Sequence, residues 1–343
     1  MLTFARVLLV APAPSPNKTE DPLLLCYVPR TYRKRRRYVR EVETMPHSNT
    51  IMPPGGTAIL AGRQVARIGF GAMQLPGPGV WGPPRDRGTA LAVLRRAIEL
   101  GVNHIDTAHY YGDNVSNELI HAALYPYPDD LVIVSKVGGE RDAQGGWIPA
   151  QRPERLRAGV EANLRALEID QVPVVNLRLM DEGYSGASVD FDAQLAEMVA
   201  LRDEGKIGGI GLSNVTLDRL RHAAPAGIAC VQNPYSLLDR SGEPLFNWCR
   251  ENGIAWVPFF PLGSAFPGHP KVTGHPAVIA VSHTLGATPA QVGLAWILAH
   301  GPHTLLIPGT SSLEHLEENV AAANVRLDPH TLTVLDSLAL TTT

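Results

Sequence analysis

From Ala58 onward the chain alternates between two hydrophobic rhythms. Eight short apolar runs read as buried strands: Ile68–Met73, His104–Thr107, Leu131–Lys136, Val174–Met180, Gly208–Ser213, Ile228–Gln232, Ala255–Pro258 and Thr304–Ile307. Between them lie longer segments of helical period: Ala90–Leu100, Glu154–Leu167, Phe191–Glu204, Leu217–Ala223, Glu243–Glu251, Pro289–Ala299 and Ser312–Ala323. In the first of these, Leu91, Leu94, Arg95 and Ile98 show the i, i+3, i+4, i+7 spacing that places side chains on one helical face, with polar residues opposite. Gly101, Gly205 and Gly253 stand where helices end, the position at which a residue without Cβ turns the chain most easily. Ahead of the first unit, Thr57-Ala-Ile-Leu and Gln64-Val-Ala-Arg flank a turn at Gly62 and predict a short hairpin.

Strand–helix units of this size imply parallel pairing with right-handed crossovers. Eight of them within roughly 270 residues predict a closed (β/α)8 TIM barrel preceded by a β-hairpin, with an open parallel sheet as the alternative. The barrel domain is expected over residues 53–343. Residues 1–52 read as an extension, either disordered or belonging to a misassigned start, because their proline-rich flanks and missing periodicity offer nothing to pack.

Composition narrows the picture. The 343 residues are 45% hydrophobic and 18% charged, enough to bury a full core. The net charge of −3 gives no global reason to expect a nucleic-acid or membrane partner. The charge is uneven, however: residues 1–44 hold nine Lys/Arg against four Asp/Glu, including the run Arg33-Lys-Arg-Arg-Arg37, which leaves −8 for the remainder. No apolar run reaches the roughly 18 residues of a membrane span. Three widely spaced cysteines, Cys26, Cys230 and Cys249, suit a reducing, cytoplasmic compartment better than a disulfide framework.

The motif scan removes several chemistries. Gly69-Phe-Gly71 and Gly209-Ile-Gly211 both lack the third glycine of a Rossmann fingerprint, and no Walker A, Gly-x-Ser-x-Gly or His-Glu-x-x-His sequence occurs. The twelve histidines form no ligand spacing, so no metal site is expected.

What remains is a set of ionisable groups at consecutive strand ends, where a barrel builds its active site. Asp106 and Tyr111 fall in Ile105-Asp-Thr-Ala-His-Tyr-Tyr-Gly112, and Lys136 ends Val132-Ile-Val-Ser-Lys136. An ammonium ending a buried strand needs a partner, and Asp106 on the neighbouring strand can supply it. Such a pair beside a phenol is expected to lower its pKa and make Tyr111 a proton donor or acceptor for a carbonyl or alcohol oxygen. Read without further context, the same residues equally describe a structural ion pair beside an aromatic at the barrel mouth. Lys136 as an imine-forming nucleophile of an isomerase or lyase is a further alternative.

The Asp106-Thr-Ala-x-x-Tyr111-Gly sequence with a strand-end lysine resembles the aldo-keto reductase family, and the resemblance runs from about Thr57 to Leu340. It implies the same barrel, NADPH as cofactor with NADH as the alternative, and a small-molecule carbonyl substrate reduced to an alcohol. Gly211-Leu-Ser-Asn214 and Val231-Gln-Asn233 stand where the family binds the carboxamide, which implicates Ser213, Asn214 and Gln232. Pro258-Phe-Phe-Pro-Leu262 resembles a segment whose aromatic stacks on nicotinamide, implicating Phe259 with Pro261, Leu262 and Ser264. Ile307-Pro-Gly309-Thr310-Ser311-Ser, Glu318 and Asn319 match the adenosine-phosphate end, while Gly309 and His315 stand where many members carry Lys and Arg around the 2′-phosphate; Thr310, Ser311 and His315 are expected to bind the dianion. There the helix N-terminus offers amides and hydroxyls to phosphate, and a serine that only caps the helix is the bland reading.

The substrate side departs from the pattern. The family carries a histidine at the end of the fourth strand, and counting along Val175-Asn-Leu-Arg-Leu-Met-Asp181 places Asp181 there, with Arg178 on the face opposite to Asp181; either Asp181 or Arg178 is expected to replace the histidine. An acid at this place resembles the steroid 5β-reductase branch, whereas Val175-Asn-Leu-Arg178 resembles a bacterial subgroup close to pyridoxal reductases. Trp81, Tyr110 and Arg178, with His109 and Phe260, are expected around the substrate, and Phe266–Pro276 reads as a lid or a plain surface loop. The missing histidine keeps a second function open, a cofactor-binding sensor or regulatory subunit with little turnover.

Overall fold

The hairpin at the start of the domain closes through two left-handed residues. Strands β1 (Thr57–Leu60) and β2 (Arg63–Ala66) pair antiparallel across Ala61 and Gly62, both with positive φ. A two-residue turn of this hand matches the natural twist of the strands it joins. Its buried Leu60 and Val65 plug the base of the barrel, packed with Val132, Val134, Val174, Cys230, Ala255, Val257 and Leu305. The computed structural model describes residues 52–180, 189–263 and 270–338. The expectations for the N-terminal extension, Asp181, Ser264 and part of the proposed lid fall outside these residues.

The barrel wall begins with β3 (Phe70–Gly71) and helix α1 (Arg87–Glu99), capped by the Asp86 carboxylate on the amides of Gly88 and Thr89. Strand β4 (His104–Asp106) leads to α2 (Val115–Leu124), and β5 (Val132–Val137) to a small hairpin, β6 (Gly139–Arg141) with β7 (Trp147–Pro149), then to α3 (Pro153–Leu167). Strand β8 (Val172–Arg178), α4 (Phe191–Asp203), β9 (Ile207–Ser213), α5 (Leu217–Ala223), β10 (Ile228–Gln232), α6 (Glu243–Glu251) and β11 (Ala255–Trp256) continue the alternation. Helices α7 (Pro276–Leu285), α8 (Pro289–His300), α9 (Leu313–Ala321) and α10 (Pro329–Asp336) complete the described chain.

The parallel sheet runs in the order β11-β10-β9-β8-β5-β4-β3. Ring closure comes from the segment around Thr304–Leu306, which bridges β11 at Trp256–Thr304 and the approach to β3 at Ile68–Leu306. The Gly69 amide donates to the Leu306 carbonyl at 2.8 Å, and the Leu305 amide to the Trp256 carbonyl at 2.8 Å. This is the (β/α)8 barrel with an N-terminal hairpin that the rhythm predicts. The outer cores are conventional: Val175, Leu177, Ile210 and Leu212 face the helices, while the inward positions change from apolar at the base to polar at the C-terminal rim. Helices α2, α7 and α10 and the β6–β7 hairpin are not among the elements read from the sequence.

Candidate active site

Register determines which side chains meet at the rim. Asp106 pairs with Gly71 on one side and Val134 on the other; Lys136 pairs with Asn176, and Arg178 with Ser213. Because side chains alternate along a strand, Lys136, Asn176 and Arg178 share the inner face. Among the described residues, Arg178 is therefore the group that β8 delivers to the rim. The strand ends at Arg178, after which the Leu179 amide donates to the Ser213 carbonyl at 2.9 Å. Arg178 thus stands on the inner face, as a group expected around the substrate should.

At the centre, the Lys136 ammonium donates to Asp106 Oδ1, and to the Thr107 carbonyl at 3.2 Å. Both side chains are buried, at 6% and 4% exposure, so the charges depend on each other rather than on water. Gln232 Nε2 donates to Asp106 Oδ2 at 2.7 Å. Lys136 Nζ lies 5.0 Å from the centre of the Tyr111 ring. The backbone behind them is fixed by a buried polar chain. Thr107 donates to Asn117, while Asn117 Nδ2 and Ser135 Oγ both donate to Asn163 Oδ1, and His109 Nδ1 lies 3.3 Å from the Lys136 carbonyl. His109 thus sits behind the site rather than at its mouth, where it was expected, and burial lowers its pKa so that the neutral ring prevails.

The phenol departs from expectation in its electrostatics. Burial pushes the Tyr111 pKa well above the usual value for tyrosine, and the Asp106 charge adds to this; Arg178 and Arg141 oppose it. The ammonium does not reverse the shift because its charge is largely spent on Asp106. Tyr111 is accordingly a neutral phenol over the ordinary pH range.

These groups open on a cleft of about 660 Å³, within the range of cofactor sites. Of the residues singled out from the sequence, Asp106, Tyr110, Tyr111, Lys136, Arg178, Gln232, Phe259, Phe260, Pro261, Leu262, Ile307, Gly309, Thr310, His315, Glu318 and Asn319 line it. Ser213, Asn214, Ser311 and Trp81 do not. Ser213 Oγ accepts from Arg178 Nη1 at 3.3 Å, and Asn214 Nδ2 donates to the Leu179 carbonyl at 3.1 Å. Ser311 is exposed, while Ser312 caps α9 by accepting from the His315 amide at 3.4 Å. Trp81 packs against Gly145 and lies 5.8 Å from the Arg141 guanidinium. The tryptophan on the cleft is Trp147 of the β6–β7 hairpin, with Arg141 3.5 Å above its ring and Tyr110 edge-on at 5.6 Å. Gly71 and Gly309 also line the cleft, and a Cβ on either would collide with the main chain of the facing segment, at Ile307 and Gly71 respectively.

Two buried polar atoms of cleft residues have no hydrogen-bond partner: Gln232 Oε1 and the Tyr110 hydroxyl. An orphaned acceptor in a cleft that also holds the Phe259 ring is what a carboxamide on a flat ring would satisfy, so the residues present fit a nicotinamide. The other end, with Gly309 and Thr310 ahead of a helix N-terminus, suits phosphate.

A model of the aldo/keto reductase family matches residues 67–340, and the chain belongs to that family. It is an NAD(P)H-dependent oxidoreductase that reduces an aldehyde or ketone to an alcohol. It is 46% identical over 285 residues to the pyridoxine 4-dehydrogenase of Escherichia coli, covering 82% of this chain and 98% of that protein. It is 37% identical over 282 residues to an uncharacterized oxidoreductase of Schizosaccharomyces pombe, covering 82% and 89% of the two chains. Among solved structures, an aldo/keto reductase from Klebsiella pneumoniae in complex with NADP and acetate superposes with a TM-score of 0.67 at 27% identity, covering 82% of this chain and 95% of that one. No helix among the described residues is long and apolar enough to cross a membrane.

Proposed function

We propose that this protein is an NADPH-dependent reductase of pyridoxal and related aromatic aldehydes, with Tyr111 as proton donor. The supporting observation is that Asp106, Lys136 and Tyr111 converge in a cleft that Gly309, Thr310, Glu318 and Asn319 also line. When bound, the reduced nicotinamide supplies the hydride. Gln232 Oε1 would accept from its carboxamide, Phe259 would stack on its ring, and Thr310 and His315 would meet the adenosine phosphates.

The chain's own residues then handle position and a proton. The neutral Tyr111 phenol donates a hydrogen bond to the carbonyl oxygen and transfers its proton as negative charge develops there. The phenolate left behind faces the Lys136 ammonium, which Asp106 holds in place. Burial, which raises the pKa of the phenol, keeps it in the donating form. With donor, ammonium and acid all facing the cleft, turnover is favoured over a purely cofactor-sensing role. The activity resides in the barrel, residues 53–343, with residues 1–52 an extension outside it. Free, buried Cys230 and Cys249 suit a reducing, cytoplasmic compartment.

The test is oxidation of NADPH by the purified protein with pyridoxal and 4-nitrobenzaldehyde, repeated with Tyr111→Phe. The variant should lose about 10²–10⁴-fold in turnover while binding NADPH as the parent does. Equal turnover by the two proteins would remove Tyr111 from the role of proton donor.

A further inference from the structure

Two cleft-lining groups take no part in the proton transfer described above: the Arg178 guanidinium and the Tyr110 hydroxyl. Arg178 is half-buried, bonded by Nη1 to Ser213 Oγ and lying 5.4 Å from the centre of the Phe259 ring. No carboxylate among the described residues forms an ion pair with it, whereas Lys136 is neutralised by Asp106. Its backbone is pinned from below. Gln151 Nε2 donates to the Arg178 carbonyl at 2.9 Å, and Gln194 Nε2 fixes Gln151 Oε1 at 3.1 Å. Tyr110 is 2% exposed, its hydroxyl is unpartnered, and its ring meets that of Tyr111 edge-on at 5.4 Å.

We propose that Arg178 and the Tyr110 hydroxyl form a subsite for a second, anionic oxygen of the substrate, and that the substrates are planar aromatic aldehydes with an ionised hydroxyl ortho to the aldehyde. This deepens, and rests on, the reading of the cleft as a carbonyl reductase. Arginine stays charged at every working pH and has five N–H donors, of which one is spent on Ser213. An uncompensated guanidinium in a part-buried cleft favours a ligand that brings one negative charge. Tyr110 and Trp147 give that ligand flat apolar walls. Since Arg178 lies on the same inner face as Lys136, one strand away, the oxygen it binds lies close to the carbonyl, as an ortho hydroxyl does on the ring carbon two bonds from the carbonyl carbon.

The experiment compares kcat/KM for 2-hydroxybenzaldehyde and 2-methoxybenzaldehyde, which differ in whether the ortho oxygen can ionise. In the parent the ratio should be roughly ten- to hundredfold, the worth of one charge-assisted hydrogen bond, and it should grow as pH rises through ionisation of the ortho hydroxyl. Arg178→Gln should bring the ratio towards one and flatten its pH dependence, Arg178→Lys should keep part of it, and Tyr110→Phe should lower it severalfold. Reduction of both aldehydes by the parent with a ratio near one sinks the subsite and leaves the reductase reading standing. An unchanged ratio in Arg178→Gln does the same. If the parent reduces neither aldehyde, nor pyridoxal, the reductase reading fails and the subsite falls with it. Should Arg178→Gln fail to fold, the parent's pH profile and Tyr110→Phe decide the matter.

Discussion

Removing both halves of the Lys136–Asp106 pair should cost much less than the sum of removing each alone. In Asp106→Asn the shape is kept, but Lys136 Nζ and Gln232 Nε2, which now donate to the two carboxylate oxygens, would share one amide oxygen and face one amide N–H group. The ammonium, with only the Thr107 carbonyl at 3.2 Å in support, would be buried and uncompensated. Breaking a pair of this kind costs about 3–5 kcal/mol. For a domain of this size that is a fall in melting temperature of roughly 6–20 °C. Lys136→Met strands the carboxylate instead and should cost a similar amount, moderated by the Gln232 donor. The double variant removes both charges, so its loss should lie well short of the sum, with a coupling of at least about 2 kcal/mol. The assay is thermal unfolding of the four proteins in one buffer at neutral pH, with turnover measured alongside. All three variants should be severely impaired in reduction, because each removes a group placed beside the phenol. Additive losses, or single-variant shifts within a degree or two, would refute the argument: the pair would then be solvated, and Asp106 would not be what holds the ammonium beside Tyr111.

Two pH dependences follow from burial. With its pKa above the tyrosine norm, Tyr111 stays protonated through neutral and mildly alkaline pH, so kcat/KM for an aldehyde without ionisable groups should not fall between pH 6 and about pH 9 through loss of the phenol proton; a decline near pH 8 that disappears in Tyr111→Phe residual activity would contradict it. His104 is fully buried with its pKa lowered from 6.5 to about 4. In the folded state it stays neutral while the unfolded chain takes up a proton below pH 6.5, so its contribution is present above that pH and is lost as pH falls towards 4. The stability advantage of the parent over His104→Gln should therefore shrink by about 2 kcal/mol from pH 7 to pH 5, read from denaturant midpoints at the two pH values; a constant difference would show that His104 titrates normally.

The barrel was legible because each strand–helix unit announces itself by a change of period, from a continuous apolar run to an i, i+3, i+4 spacing. The Lys136–Asp106 pair was legible for a thermodynamic reason: a charge that ends a buried run must find a counter-charge at a neighbouring strand end. Arg178 and Trp147 were harder for opposite reasons. Around Arg178 the apolar signal runs on too far, since Leu179 and Met180 are buried although the strand has already ended. Counting along the strand reaches Asp181, outside the described residues, whereas cross-strand register, which depends on Lys136–Asn176 pairing some 40 residues apart in sequence, puts Arg178 on the inner face. Trp147 sits in a glycine-rich stretch with no period, and it reaches the cleft only because Arg141, bonded to the carbonyls of Tyr110, Val80 and Gly145, holds the hairpin against the Tyr110 backbone.

The phenol shows where spacing stops being informative. Adjacent charges can be inferred from strand ends, and they point to a lowered pKa. The structure adds two facts that spacing does not carry: the ring is 6% exposed, and the nearest ammonium is already matched by a carboxylate. Matched charges leave a weak field at the phenol, so the loss of water dominates and the shift is upward. The same cancellation makes Arg178 the cation of the cleft whose charge is not matched by a described carboxylate. One buried pair thus accounts for both a phenol that holds its proton until the carbonyl oxygen needs it and a guanidinium left to recognise an anion on the substrate.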